Sequence, residues 1–272
     1  MDDQRFLKAC QLREEGRLRE AVDEFLAIVE DTKDQIDKAA VLVYVAAALK
    51  ELGDCDRALE QLRLARDLIS SLHDGYLTPT PDYRLPRLEV LLDFEEADIR
   101  RFSGNNQEAL ARLEGMLTKY RQRLSEPDFR YVCEMIQANR AFLLADLERW
   151  KESLPILEEA EKFQNFKEEI AFYLGHCYLS AHDYVRAEGK LVEALKLGLP
   201  QNLEYRAHCE LGMVYASLGN YIKAKSEFES CAQKADTGYI KQAQLWKRLQ
   251  AVCRALGLKD EVERYARLAM PS

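Results

Sequence analysis

The chain has 272 residues, 47% of them hydrophobic, and a formal net charge of −8 at pH 7. The hydrophobic fraction supports a folded chain, and only 12 glycines and 7 prolines argue against both disorder and a turn-rich β fold. The acidic balance disfavours nonspecific binding to nucleic acid and to anionic lipid.

The charge is unevenly distributed along the chain. Residues 1–136 contain 28 acidic and 20 basic residues, whereas residues 137–272 contain 19 of each. We expect most of this charge to lie on solvated outer faces of helices. The functional alternative is a weak electrostatic steering of a basic partner toward the front half.

Targeting signals and cysteines indicate the compartment. No stretch is long and apolar enough to span a bilayer, and the acidic start, Met1–Arg5, lacks the basic residues and apolar run of a secretory signal. Because none of the seven cysteines forms a C-x-x-C pair, we expect buried thiols in a reducing compartment, the cytoplasm. The cysteines are Cys10, Cys55, Cys133, Cys177, Cys209, Cys231 and Cys253.

In chain order, the sequence predicts seven pairs of amphipathic helices, each joined at a turn, and no strand. The first turn is at Gly16, with an alanine five residues later, and the same spacing recurs at three other glycines. Successive turns are separated by 37, 51, 44, 34, 37 and 38 residues. The turn positions are Gly16, Gly53, Gly104, Glu148, His182, Gly219 and Gly257.

The sixth pair carries the clearest pattern. Its first helix has a small residue at Gly212, and its second helix has Ala224 and Phe228 at helical spacing after the turn at Gly219. Small residues at Gly212 and Ala224 let the two helix axes approach closely, and Phe228 fills the space beside them. A glycine at 219 is a natural left-handed stop for the first helix.

This small–large–Gly–Ala pattern, with a period near 34 residues, resembles the tetratricopeptide repeat family over nearly the whole chain. The departures are Glu148 and His182 in place of the turn glycine and Ser153 in place of a small alanine. The resemblance implies an all-α, right-handed α-solenoid of about seven helix pairs. It also implies one superhelical domain over residues 1–272, with a degenerate capping pair at 237–272.

Two steps between turns are longer than the family period. The first contains an insertion at residues 73–86, in which three prolines force extended backbone. This segment either packs against the neighbouring repeat or forms a lid over a bound ligand. The second indicates longer helices: one amphipathic stretch at 106–124 and, after a stop at Ser125, a helix of about 20 residues to about Leu147.

In this family the first helix of each pair lines an inner groove, and the resemblance transfers groove positions to this chain. The aromatic residues among them suit a peptide or an amphipathic helix as ligand. Packing between repeats is the alternative, and the adjacent Phe172 and Tyr173 cannot both face the groove. The candidate groove residues are Val43, Tyr44, Phe94, Asn139, Phe142, Tyr173, His176, Arg206, Met213 and Lys247.

The sequence offers little support for catalysis. The pairs His176-Cys177 and His208-Cys209 diverge by about 100° within each helix, so neither pair binds a metal jointly, although His176 and Cys209 could meet between helices. No phosphate-binding glycine loop and no nucleophile elbow is present. We therefore predict a noncatalytic protein, without cofactor or metal, that binds a protein or peptide partner in its groove.

Two other functions stay open. A ligand-sensing regulator would use the insertion at 73–86 as its lid. A self-assembling module would pair through the apolar residues Val262, Tyr265, Leu268 and Met270 of the last helix pair, because a terminal repeat normally needs a polar cap. The second alternative predicts a homodimer formed through the C-terminal pair.

Overall fold

The computed structural model describes residues 3–75, 84–163, 165–234 and 242–269. Within these ranges the chain forms fourteen α-helices and no strand. The predicted all-α architecture is confirmed. The helices are α1 Asp3–Glu14, α2 Leu18–Asp31, α3 Gln35–Glu51, α4 Cys55–Gly75, α5 Arg84–Phe102, α6 Asn106–Tyr120, α7 Glu126–Asp146, α8 Trp150–Ala160, α9 Lys167–Ser180, α10 Tyr184–Leu197, α11 Gln201–Ser217, α12 Tyr221–Lys234, α13 Gln242–Ala255 and α14 Lys259–Leu268.

The helices pack in consecutive pairs, as the repeat pattern predicts. Each first helix contacts its second helix in the pairs α1–α2, α3–α4, α5–α6, α9–α10, α11–α12 and α13–α14. The chain divides into two compact units, unit 1 at Met1–Ile136 and unit 2 at Gln137–Ser272, with the boundary inside α7. Each unit has its own apolar core.

All seven turn positions adopt left-handed backbone. The glycines among them have φ between 75° and 83°, and Glu148 and His182 have φ of 59° and 60°. After α7, the Arg149 N–H donates to the Leu144 carbonyl at 2.9 Å and the Glu148 N–H to the Ala145 carbonyl at 2.9 Å, which is the Schellman pattern. The two non-glycine residues therefore occupy the turn that the repeat requires, at a conformational cost.

Two glycines in unit 2 each allow the two helices of their own pair to touch. A Cβ added at Gly212 would lie 2.7 Å from the Phe228 ring, and one at Gly175 would lie 2.6 Å from Leu191 Cγ. Both distances are shorter than real Cβ contacts, so the absence of a side chain is required. The close approach predicted at Gly212 is confirmed, and Gly175 repeats it one pair earlier.

Ser153, which replaces the usual small alanine, lies in the core without a polar penalty. Its side chain is buried, and its hydroxyl donates to the Ala141 carbonyl at 2.8 Å. The Cys177 thiol in turn approaches the Ser153 hydroxyl oxygen at 3.6 Å. A buried hydroxyl needs such partners, because an unpaired one would cost free energy.

The long steps in the repeat have different outcomes. The long α7 is confirmed, since it runs for 21 residues from Glu126, whereas α6 ends at Tyr120, before the end of the predicted stretch at 124. The Ser125 hydroxyl at the start of α7 donates to Asp128 Oδ2 at 2.6 Å. Residues 76–83 of the insertion lie outside the described residues, so the lid stays a prediction.

The last helix pair buries one of the apolar residues that were predicted to form an exposed surface. Tyr265 was expected on an open end, but it is buried and stacks on Trp246 with ring centroids 5.9 Å apart. Val262 packs partly against the same core, whereas Leu268 is exposed. Met270 lies outside the described residues.

Within the described ranges, no helix combines the length and apolarity that crossing a bilayer requires.

Candidate functional site

The first helices of neighbouring pairs contact one another, α3 with α5 in unit 1 and α9 with α11 in unit 2. We use the name unit 1 first-helix face for the surfaces of α1, α3 and α5. The unit 2 first-helix face comprises residues 137–146 of α7 together with α9, α11 and α13. The ten residues predicted from the sequence as groove residues lie on these two faces.

The structure separates the ten predicted residues by exposure. Val43, Phe142, Tyr173 and Arg206 are buried, whereas Lys247 is exposed. The other five are partly exposed: Tyr44, Phe94, Asn139, His176 and Met213. Burial therefore corrects the expected row of accessible aromatics, because Phe142 and Tyr173 belong to the core of unit 2.

An aromatic and ionic cluster occupies the unit 2 first-helix face. The Phe142 and Tyr173 rings stack with centroids 4.5 Å apart, and the Tyr173 hydroxyl donates to Asp146 Oδ2 at 3.1 Å. Arg206 on α11 donates to Asp146 Oδ1 at 3.2 Å and lies 5.0 Å above the Phe172 ring. Arg206 thus bridges three helices by charge, hydrogen bonding and cation–π contact.

His176 belongs to the same face. Its Nδ1 lies 2.9 Å from Glu210 Oε1, and Glu210 is itself buried. Burial lowers the pKa of His176, but the Glu210 carboxylate more than compensates and the pKa is raised above its ordinary value. His176 can therefore hold a proton at higher pH than a free histidine.

A buried ionic cluster also lies on the unit 1 first-helix face. Lys50 Nζ donates to Glu95 Oε1 at 2.7 Å and to Asp98 Oδ2 at 2.6 Å. Burial raises the pKa of Glu95, while Lys50 and Arg101 hold the pKa of Asp98 below its ordinary value against the same effect. Despite desolvation, the two carboxylates raise the pKa of Lys50.

Lys50 was not among the residues singled out from the sequence. A sequence signal existed, because Lys50 is the only charged residue between Lys38 and Glu51 and ends an otherwise apolar helix. Its partners, however, come 45 and 48 residues later in the chain. No local pattern identifies them.

The partly exposed aromatics differ in their surroundings. Tyr44 contacts the Phe6 ring edge-on at 4.9 Å and the Phe25 ring at 5.8 Å, so one of its sides is covered by the protein itself. Phe94 lies on α5 next to Glu95 in the chain and is partly exposed. These two are the aromatic members of the predicted groove on the unit 1 first-helix face.

Both histidines of the histidine–cysteine pairs contact a carboxylate of the protein itself. His176 pairs with Glu210, and His208 Nδ1 lies 2.7 Å from Glu227 Oε2. Burial raises the pKa of Cys177 to about 11, so its thiol is a poor nucleophile at neutral pH. The described residues contain no group of three or more His, Cys, Asp or Glu arranged to hold a metal ion.

Cys209 differs from the other buried thiols. Arg248 Nη1 lies 3.1 Å from its sulfur, and contacts with Cys231 and Arg248 lower the pKa of Cys209. The hydrogen bond with Cys209, together with burial, raises the pKa of Cys231. Both side chains are buried, so the pair is enclosed in the core of unit 2.

No protein-family model matches the sequence. A search of curated protein sequences likewise finds no similar sequence. Similar solved structures do exist, however. A tetratricopeptide repeat protein from Parabacteroides merdae is 12% identical, with a TM-score of 0.56 over 98% of this chain and 91% of that chain. PilW, a type IV pilus biogenesis factor, is 19% identical, with a TM-score of 0.59 over 85% of this chain and 91% of its own.

A third similar structure is a signal transduction ATPase with a tetratricopeptide repeat sensor from Pyrococcus horikoshii. It is 15% identical, with a TM-score of 0.63, and the match covers 97% of this chain but only 41% of that protein. At these identities the similarity shows the fold alone. The chain therefore has the tetratricopeptide repeat fold, as the sequence pattern predicted.

Proposed function

We propose that this protein is a noncatalytic interaction scaffold that binds a peptide or a helix of another protein along its first-helix faces. The observation that carries the proposal is the repeat fold over nearly the whole chain, with partly exposed side chains on those faces. Repeats of stacked helices present extended binding surfaces of this kind.

The two faces offer different contacts to such a partner. On unit 1, Tyr44 and Phe94 are partly exposed aromatics on α3 and α5, the two helices that also carry the Lys50 ionic cluster. On unit 2, His176, Met213 and Lys247 remain accessible around the buried Arg206 cluster. Aromatic and methionine side chains serve as anchors in pockets, and charged groups at the rim give orientation.

The burial of Phe142 and Tyr173 limits the side chains that a partner can contact. A partner at unit 2 would meet polar and flexible side chains instead of an aromatic row, whereas a partner at unit 1 would meet accessible aromatic rings. We therefore place the anchoring contacts of a partner of unit 1 at Phe94 and Tyr44, and we expect a partner of unit 2 to be held by polar and flexible side chains. Because Tyr44 also packs on Phe6, Phe94 is the better position for mutation.

The experiment compares two double variants with the wild type. Phe94→Ala/Met213→Ala changes the first-helix faces, and Val185→Ala/Ile222→Ala changes two second-helix residues that are each 74% exposed. Quantitative mass spectrometry of proteins cross-linked to each form should show partners lost only from the first variant. Equal recovery with the first variant, or loss with the second alone, would overturn the proposal.

Two further parts of the sequence prediction have unequal support. Cytoplasmic localisation belongs to the proposal and is supported by seven free thiols, all in the described part of the chain. A homodimer through the C-terminal pair has weaker support, because Tyr265 packs inside unit 2 and leaves Leu268 as the exposed apolar residue of α14.

A further inference from the structure

A cationic cavity of about 560 Å³ lies in unit 1 between α4, α5 and α6. Arg63 and Arg66 line it from α4, Arg100 from α5 and Arg112 from α6. The lining contains two glutamates, Glu60 and Glu96, against these four arginines. The cavity is separate from the residues to which we assign partner binding.

Glu96 forms the anionic centre of this cavity. Its Oε1 lies 2.6 Å from Arg112 Nη2 and 3.4 Å from Arg100 Nη2, and its Oε2 lies 2.6 Å from Arg66 Nη2. The Glu96 side chain is only 12% exposed. One carboxylate thus holds three guanidinium groups together, although each guanidinium carries a full positive charge.

The guanidinium groups retain donors that the protein does not use. The Nε atoms of Arg100 and Arg112 are buried and have no hydrogen-bond partner among the described residues. Arg63 lies 3.7 Å from both Glu60 and Asp67, beyond hydrogen-bonding distance. Because a guanidinium has five N–H donors, these arginines have donors for which the described residues provide no acceptor.

Carboxylates outside the lining also form ion pairs with these arginines and offset much of their charge. Asp93 accepts from Arg66 at 2.8 Å and is shared with Lys119 and Tyr120, both at 2.6 Å. Glu108 pairs with Arg100 at 2.8 Å but is 47% exposed, so water screens that pair. The lining itself has four arginines against two glutamates, so the groups that face the cavity are predominantly cationic.

The chemistry of the lining indicates the ligand. Several converging guanidinium groups suit a dianion with three acceptor oxygens better than a single carboxylate, which Glu96 already supplies. Leu59 and Leu62 add an apolar wall, and the volume falls in the range of small-molecule sites. We propose that this cavity binds a phosphomonoester dianion, whose oxygens compete with Glu96 for the arginines and whose organic part contacts the two leucines.

Phenyl phosphate is a suitable probe, measured by isothermal titration calorimetry on the whole chain. We expect the wild type to bind it, and to bind benzoate, a monoanion with the same ring, more weakly. Arg63→Gln should raise the dissociation constant about tenfold, because one charge-assisted contact is lost. Arg57→Gln is the matched control, since Arg57 is an arginine of similar exposure on the same helix but outside the cavity.

Glu96→Gln separates binding from a merely structural role. Removing the internal carboxylate should tighten phenyl phosphate binding about tenfold, because the three guanidinium groups lose their competitor. Without ligand, this variant should melt at a lower temperature than the wild type. Addition of phenyl phosphate should raise the melting temperature of the variant by more than it raises that of the wild type. An arginine cluster that only stabilises the fold would show the lower melting temperature without the tighter binding.

Absence of binding to both the wild type and Glu96→Gln would overturn the proposal, as would equal effects of Arg63→Gln and Arg57→Gln. The source of the phosphate is tested with a glycine-flanked phosphotyrosine peptide, which carries the same group as phenyl phosphate. Tighter binding of the peptide supports a phosphorylated protein segment as the ligand. Equal or weaker binding of the peptide supports a small phosphate ester, which would fit a ligand-sensing regulator.

Discussion

The two units use the same repeat but are stabilised differently. In unit 1, an ion pair of Glu95 joins α5 to α3, and ion pairs of Glu96 and Asp93 join α5 to α4. In unit 2, Gly175 and Gly212 let helices of one pair touch, and turns at Glu148 and His182 lack glycine. The comparison teaches that the repeat specifies the positions of the helices. The side-chain interactions that hold neighbouring helices together differ between the two units.

The largest expected effect concerns the ionic interior of unit 1. Lys50→Met should lower the free energy of unfolding by about 3–5 kcal/mol, because it leaves the largely buried Glu95 carboxylate without its ion-pair partner and removes one of the two cations that pair with Asp98. Urea denaturation measures this change. Lys33→Met, at an exposed position, is the control and should change stability by less than about 0.5 kcal/mol.

The pH dependence of the Lys50→Met variant provides a second test. Burial already raises the pKa of Glu95, and loss of Lys50 removes a charge that opposes this shift. The deficit relative to wild type should therefore shrink as the pH falls and Glu95 becomes protonated. A deficit that stays constant from neutral to acidic pH would show that Lys50 stabilises unit 1 through packing instead of charge.

The next largest effect concerns the close helix contacts of unit 2. Gly212→Ala should cost about 1–3 kcal/mol, because the new methyl group would overlap the Phe228 ring. Gly189→Ala in α10 is the matched control, since an added Cβ there meets no atom within 4 Å. The control should gain about 0.5–1 kcal/mol from lower chain entropy in the unfolded state and better helix propensity.

Thermal unfolding of the two glycine variants gives the readout. Opposite shifts of the melting temperature support the close contact as a requirement of the repeat. If Gly212→Ala were neutral, Phe228 would have to move without loss of packing, and the small residue would not be what positions the two helices.

A smaller effect is expected at the turns. Glu148→Gly and His182→Gly should each stabilise the protein by about 0.5–1 kcal/mol, because left-handed backbone is costly for residues with a Cβ. Gly53→Ala makes the reverse change in unit 1 and should destabilise by a similar amount. Denaturant midpoints of the three variants check this, and a loss of stability in Glu148→Gly would indicate that its side chain contributes more than its backbone costs.

The smallest effect is a pH dependence in unit 2. The Glu210 carboxylate raises the pKa of His176, so the contribution of this pair to stability is complete below the unfolded pKa of about 6.5. That contribution is lost as the pH rises through the higher folded pKa. Hydrogen exchange of α9 should therefore become faster above neutral pH in the wild type, after correction for intrinsic rates.

His176→Gln is the control for this titration. It should remove the pH dependence of α9 while leaving that of α3 in unit 1 unchanged. Arg206 and Asp146 also act on His176, so the titration should shift in Arg206→Gln without disappearing. A wild-type profile identical to that of His176→Gln would contradict the assignment.

Much of the fold could be predicted from local pattern. Every turn position was identified, including Glu148 and His182, because the spacing to the next small residue marks a turn even where glycine is absent. The close approach at Gly212 was also predictable, because a small residue on one helix and a large residue on the other helix of the same pair indicate that the two helices touch there.

The candidate site was less predictable. Phe94 and Phe142 have the same chemistry and the same assigned role, yet Phe142 is buried under Tyr173 and Phe94 stays partly exposed. The sequence by itself therefore determined the helix pairs and their turns, which depend on residues a few positions apart. Only the tertiary structure decided which side chains are accessible and which charges meet, because exposure and ion pairing depend on what the neighbouring helix contributes from tens of residues away.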